Sequence, residues 1–136
     1  MNDPKAVRRA PDLAQIEALA EAARDQLPPP MRTLAREVAL NVVDWPDDEM
    51  LDALKIDSAY DLTGLYDGIP LTEKSVMDVA TRPDTVWLFR RPILDEWAAR
   101  GDVTLEALVT HVVVHEFAHH FGWSDEDIAR IDPWWT

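Results

Sequence analysis

The histidines of this chain are concentrated in one short stretch. All four lie between residues 111 and 120, and two of them form the pattern H-E-x-x-H, which continues as H-E-x-x-H-x-x-G-x-x-D. On an α-helix the four-residue step places His115 and His119 on one face, one turn apart. Two such imidazoles can bind one zinc ion, with Glu116 beside them. The spacing therefore predicts a zinc site, and a chance occurrence of the motif is the alternative.

A third zinc ligand is expected shortly after the second histidine. Catalytic zinc sites use three protein ligands and leave one position for water, whereas closed structural sites use four. Asp125 is the predicted third ligand, because a turn at Gly122 would bring the following residues back toward the metal. As an alternative, Asp125 and Glu126 could be favourable charges on a helix that starts after Ser124. Glu126 is the next candidate ligand.

The remaining residues of the motif have distinct predicted roles. Glu116 is the predicted general base, which takes a proton from zinc-bound water and passes it to the leaving amine. Zinc lowers the pKa of that water to about 7. A surface acid is the alternative for Glu116. His111 could support the zinc ligands or transfer a proton; a structural histidine is the alternative. His120 is expected to pack or to act as a positive charge at the helix C-terminus.

Composition narrows the possible partners and compartment. The 136 residues include 13 basic and 26 acidic ones, a formal charge of −13 that repels nucleic acid and anionic lipid. There is no cysteine for disulfides or thiolate ligands. Neither a signal peptide nor a membrane span is recognisable, so we expect a cytoplasmic protein. We expect a single domain over residues 1–136, with a flexible lead at 1–12, and no pattern fixes an oligomeric state.

Apolar periodicity predicts an α+β domain whose metal-binding helix lies near the C-terminus. Residues 64–70, with two glycines around a short apolar stretch, suggest a turn or a bulged strand pair. An alternating, β-branched run predicts a strand at 38–43. Residues 85–89 are apolar on both faces and predict a second strand, covered on both sides. Helical spacing and capping residues predict helices at 13–27 (capped by Asp12 and stopped by Pro28), 50–54, 92–100 (ended by Gly101) and 104–121.

Beyond the motif, the chain resembles the small bacterial zincin-like metallopeptidases. The likeness includes the strand at 38–43, G-L-Y-x-G-x-P-L from Gly64, P-D-x-V-x-L-x-R from Pro83, and H-E-F-A-H-H-F-G-W-S-D from His115. The resemblance implies a minimal zincin fold, in which a small mixed sheet packs on helices. It also implies one zinc ion, held by two histidines and the aspartate three residues past Gly122.

The resemblance brings further expectations. The spacing is similar to that of metzincins, whose third ligand is usually His and occasionally Asp. Because the eleven residues after Asp125 contain no methionine, we expect no Met-turn. In zincins an edge strand beside the active-site helix aligns the substrate, and Thr85–Phe89 is our candidate for that strand. Tyr66 is a candidate donor to the oxyanion, with a packed turn aromatic as the alternative.

These observations predict a zinc-dependent hydrolase of peptide bonds. A small domain leaves a shallow cleft, which favours short peptides, unfolded proteins or one dedicated protein partner. Nucleic acid and membranes are not expected partners. One alternative is a non-catalytic regulatory or interaction module that retains the zinc site, although a structural metal has no need of Glu116. The other is a metal-free fold with an accidental motif.

Overall fold

The computed structural model describes residues 10–68, 84–123 and 126. These residues form an α+β fold, as predicted, and none of the described helices is both long and apolar enough to cross a bilayer. In chain order the elements are α1 (Leu13–Asp25), α2 (Pro29–Ala35), β1 (Ala39–Val43), α3 (Asp48–Leu54), a 3-10 helix (Ala59–Asp61), β2 (Gly64–Asp67), β3 (Thr85–Phe89), α4 (Arg90–Arg100) and α5 (Leu105–His120).

The three described strands form one mixed sheet in the order β1-β3-β2. β1 pairs parallel with β3, with Ala39 opposite Thr85, and β2 pairs antiparallel with it, with Gly64 opposite Leu88. The prediction that Thr85–Phe89 is an edge strand is therefore wrong. Its backbone groups bond to neighbours on both sides, so they cannot also pair with a substrate. Among the described strands, β2 is the edge nearest α5.

Local signals set the helix ends. Asp12 and Gln15 form a reciprocal capping box at the start of α1, and the helix ends before the proline run, as predicted. The same prolines also begin α2, which was not predicted, since proline fits the first turn of a helix. Thr104 caps α5 by accepting a hydrogen bond from the backbone NH of Ala107 at 3.0 Å.

Gly101 ends α4 in the left-handed conformation, with φ of 72°, as the sequence predicted. The residues that precede α1 are also bonded to α4. The backbone oxygen of Pro11 accepts a hydrogen bond from Nε of Arg90 at 2.6 Å. Pro11 and Asp12, the last residues of the predicted lead, thus contact the fold, and residues 1–9 lie outside the described part.

Helix α5 is held by packing on several sides. It contacts α1, β2 and β3, while α1 also contacts β1, so that the two helices cover the sheet together. Its apolar side is fully buried, and burying each such side chain contributes about 1.5–3 kcal/mol. The core includes Ile16, Ala20, Val86, Leu88, Val109, Val113 and Phe117. This packing fixes the rotation of α5 and therefore the direction in which its histidines project.

Candidate metal centre

The histidine pair of the motif lies on α5 as the sequence predicted. The ring centroids of His115 and His119 are 4.9 Å apart, and the ring planes are inclined at 80°. Nδ1 of His119 lies 3.0 Å from the backbone oxygen of Trp123. Because a carbonyl oxygen can only accept, Nδ1 of His119 carries the proton, and Nε2 keeps its lone pair for a metal.

The turn after α5 brings the Trp123 carbonyl to the histidine. Gly122 has φ of 89°, the left-handed region that favours glycine. Its NH donates to the oxygen of His119, and the NH of Trp123 donates to the oxygen of Ala118, both at 3.0 Å. These two bonds form a Schellman motif, which reverses the chain immediately after the second histidine.

The donor set fits zinc as far as the described residues extend. Two imidazoles on one helical face, one of them oriented by a backbone carbonyl, are the usual start of such a site. Within the described ranges, no group of three His, Cys, Asp or Glu side chains converges on one point. Asp125 and Ser124 lie outside those ranges, so Asp125 remains a prediction, and Glu126 is exposed.

Glu116 lies against the edge strand. A Cβ added at Gly64 of β2 would be 2.7 Å from Cγ1 of Val112, 3.2 Å from Cγ of Glu116 and 3.2 Å from the oxygen of Trp87. Real Cβ atoms essentially never come within 3.0 Å of a heavy atom beyond their own residue and its chain neighbours, so only glycine permits this approach. The strand and the helix are consequently in backbone-to-side-chain contact beside the motif.

A cleft of about 180 Å³ opens next to this contact. One wall is formed by residues 61–64, and the other by His111, Val112, His115 and Glu116 of α5. His111 is almost fully buried, at 3% exposure, and its ring centroid is 6.1 Å from that of His115. The cleft therefore joins the predicted general base, one predicted zinc ligand and the chain that leads into β2.

At the last turn of α5, three polar side chains form a hydrogen-bonded cluster. The hydroxyl of Tyr66 donates to Oδ2 of Asp84 at 2.8 Å, and Nδ1 of His120 lies 3.0 Å from the same hydroxyl oxygen. Since the hydroxyl proton goes to Asp84, Nδ1 of His120 donates its own proton to the Tyr66 oxygen. His120 is only 4% exposed, and burial, followed by the Asp84 carboxylate, raises the pKa of Tyr66 far above its ordinary value.

Glycine also makes room for this cluster. A Cβ at Gly68 would be 2.5 Å from Cγ of Asp84, so the carboxylate packs directly on the backbone there. Asp84 also connects two strands, because its backbone oxygen accepts from the NH of Ala39 at 2.9 Å. The cluster thus links β2, the start of β3 and the last turn of α5.

A model of one known protein family matches most of this chain. A model of the zincin-like metallopeptidases matches residues 35–135, which include the sheet, the cleft and the histidine motif. The chain belongs to the zincin-like metallopeptidase family. No curated protein matches the chain. Membership implies that this zincin-like protein binds zinc.

The polar cluster of this zincin-like chain contains three residues whose hydrogen-bond partners the sequence did not predict. The hydroxyl of Tyr66, a candidate oxyanion donor, bonds to Asp84 and His120. His120 is a buried hydrogen-bond donor at the end of α5, so its packing role rests on specific polar partners. Asp84 had no predicted polar role. An aspartate directly before a strongly apolar strand does stand out in the sequence as a candidate for a polar contact.

Proposed function

We propose that this protein is a zinc-dependent metallopeptidase that hydrolyses peptide bonds in short or unfolded chains. The observation that carries the proposal is the shared cleft of His115 and Glu116. A metal that only stabilises a fold needs no carboxylate beside it, whereas a hydrolytic site needs a proton acceptor next to the attacking water. Family membership supports the same chemistry.

Each residue has a distinct part in the proposed reaction. His115 and His119 would hold the zinc ion together with a carboxylate, for which Asp125 is the candidate. Zinc, when bound, polarises the substrate carbonyl and lowers the pKa of a water molecule to about 7. Glu116 accepts the proton of the attacking water and then delivers it to the leaving amine. The Trp123 carbonyl keeps His119 in the tautomer that presents Nε2.

The edge strand β2 is the proposed platform for the substrate backbone. It takes the role that the sequence suggested for Thr85–Phe89, because β3 is paired on both sides. β2 contacts α5 at Gly64, next to Glu116, so a peptide added along it would pass the proposed base. Main-chain pairing of this kind is tolerant of sequence and suits extended, unfolded substrates.

A direct test combines zinc content with peptide cleavage. Wild-type protein and Glu116→Gln should both bind one zinc ion per chain, whereas only the wild type should cleave a mixed peptide library, and chelator should abolish that cleavage. Glu106→Gln is the matched control, since Glu106 is an exposed acid on the same helix outside the cleft that holds His115 and Glu116.

The control should cleave at the wild-type rate. Undiminished hydrolysis by Glu116→Gln would remove Glu116 from the base role. One zinc per wild-type chain with no cleavage in any peptide pool would instead assign the protein to the non-catalytic, regulatory class.

A further inference from the structure

Asp61 is an exposed acid that lines the cleft containing His115 and Glu116. It is the last residue of the 3-10 helix, directly before the chain that forms one wall of the cleft. Among the described residues that line this cleft, the charged side chains are Asp61 and Glu116, and none is Lys or Arg. The described walls therefore carry negative charge and no fixed positive charge.

The Asp61 carboxylate has no evident role in holding the fold. Its backbone NH bonds to the oxygen of Ser58 at 3.0 Å, which is what the 3-10 helix requires. No described residue forms a salt bridge with its side chain. A charged group at a cleft that is not used by the fold is available to a ligand.

The surrounding sequence reinforces the sign of this charge. The stretch that leads to the cleft has acidic residues at positions 44, 47, 48, 49, 52, 57 and 61, against a single lysine at 55. The whole chain carries a formal charge of −13. Such a field raises the local concentration of cations and repels anions, and it weakens as salt is added.

We infer that Asp61 is a specificity-determining residue, which selects peptides with a lysine or arginine side chain close to the bond held at Glu116. This inference rests on the proposed peptidase function for its biological meaning. The cation of the peptide pairs with the Asp61 carboxylate, and a glutamate at the same peptide position meets like charge. An arginine can also make two parallel hydrogen bonds to one carboxylate.

Peptide binding tests the inference separately from cleavage. Three fluorescent peptide pools, identical except for one position fixed as Lys, Gln or Glu, are titrated by anisotropy against zinc-loaded Glu116→Gln protein. The Lys pool should bind about 1.5- to fivefold more tightly than the Gln pool, the range for an exposed ion pair, and the Glu pool should bind most weakly. The differences should shrink between low and high salt.

Substitutions at two positions locate the effect. In the same Glu116→Gln background, Asp61→Asn should abolish the preference for Lys, and Asp61→Lys should reverse it in favour of Glu. Asp57→Asn is the matched control, because Asp57 is an exposed acid of the same segment that does not line this cleft. The control should retain the preference for Lys, and the thermal unfolding of all variants shows that each is folded.

The outcomes separate this inference from the proposed function. An unchanged preference in Asp61→Asn, an equal loss in Asp57→Asn, or equal binding of all three pools would overturn the role of Asp61. An Asp61-dependent preference together with no cleavage by wild-type protein would support a charge-selective binding cleft and reject the peptidase. Cleavage by wild-type protein together with equal binding of the three pools would support the peptidase and reject the role of Asp61.

Discussion

Gly64 of β2 lies so close to Val112 of α5 that a Cβ at position 64 would be 2.7 Å from Cγ1 of the valine. This contact is made between residues far apart in sequence, and it brings the edge strand beside Glu116. The distance between strand and helix sets how far the two walls of the cleft can separate. A methyl group at position 64 would therefore act on the site directly, because it would also lie 3.2 Å from Cγ of Glu116.

We expect Gly64→Ala to lower both stability and activity. The added methyl must push Val112 or the strand aside, and overpacking of this kind costs about 1–3 kcal/mol in the free energy of unfolding. The same displacement would move Glu116 relative to its substrate. Denaturant unfolding measures the first effect, and kcat/KM on a cleaved peptide measures the second.

Gly101→Ala is the control for this prediction. A Cβ at Gly101 has no neighbour within 4 Å, but the residue has a positive φ, so alanine should lose roughly 1 kcal/mol through backbone strain alone. Both variants should be less stable, and only Gly64→Ala should lose activity. Equal losses of activity in the two variants would mean that the effect is one of general stability.

A second prediction concerns the third zinc ligand. Removing a group that merely orients a ligand costs about 10- to 100-fold in metal affinity, so the loss of a ligand should cost more. We expect Asp125→Ala to weaken zinc binding beyond that range and Glu126→Ala to leave it nearly unchanged. Competition with a coloured chelator gives both affinities. The opposite order would identify Glu126 as the ligand.

A third prediction separates the two roles considered for Tyr66. Its hydroxyl bonds to Asp84 and His120, so Tyr66→Phe should remove one hydrogen-bond partner from each of these largely buried side chains and cost about 1–3 kcal/mol of stability. We expect kcat to change little. Loss of an oxyanion donor usually lowers kcat by about 10²- to 10³-fold, and a decrease of that size would assign Tyr66 to the transition state.

The raised pKa of Tyr66 also makes this stabilisation depend on pH. The unfolded chain loses the phenol proton near the ordinary pKa of about 10, whereas the folded protein keeps it to higher pH. Above pH 10 the unfolded state binds fewer protons, so stability falls as pH rises. Wild type should lose stability more steeply there than Tyr66→Phe, whereas Tyr60→Phe, at an exposed tyrosine, should follow the wild type.

Much of the fold follows from short-range signals in the sequence. Asp12, Thr104 and Gly101 set helix ends through hydrogen bonds or backbone angles that involve only nearby residues. The four-residue spacing of the histidines likewise determines their common face once the helix exists. These features could be predicted because each depends on a few consecutive residues.

The errors concern relationships between distant parts of the chain. The apolar pattern of Thr85–Phe89 indicated burial on both faces, which a central strand requires, but the order β1-β3-β2 depends on pairing with residues far away in sequence. The bonds from Tyr66 to Asp84 and His120 join positions 18 and 54 residues apart. No local periodicity reports such contacts. The proline run predicts the end of α1, but it does not by itself show that a second helix starts there.

The histidine pair and the carbonyl that orients His119 lie in one continuous stretch of chain, which ends at the Schellman turn of Gly122. His115, His119 and the Trp123 carbonyl all belong to one helix and its turn, whereas the cleft wall comes from residues about fifty positions earlier. Local opening that releases β2 from α5 would leave the histidine pair and its supporting carbonyl in place. Metal retention and hydrolysis should therefore fail at different temperatures, with hydrolysis lost first.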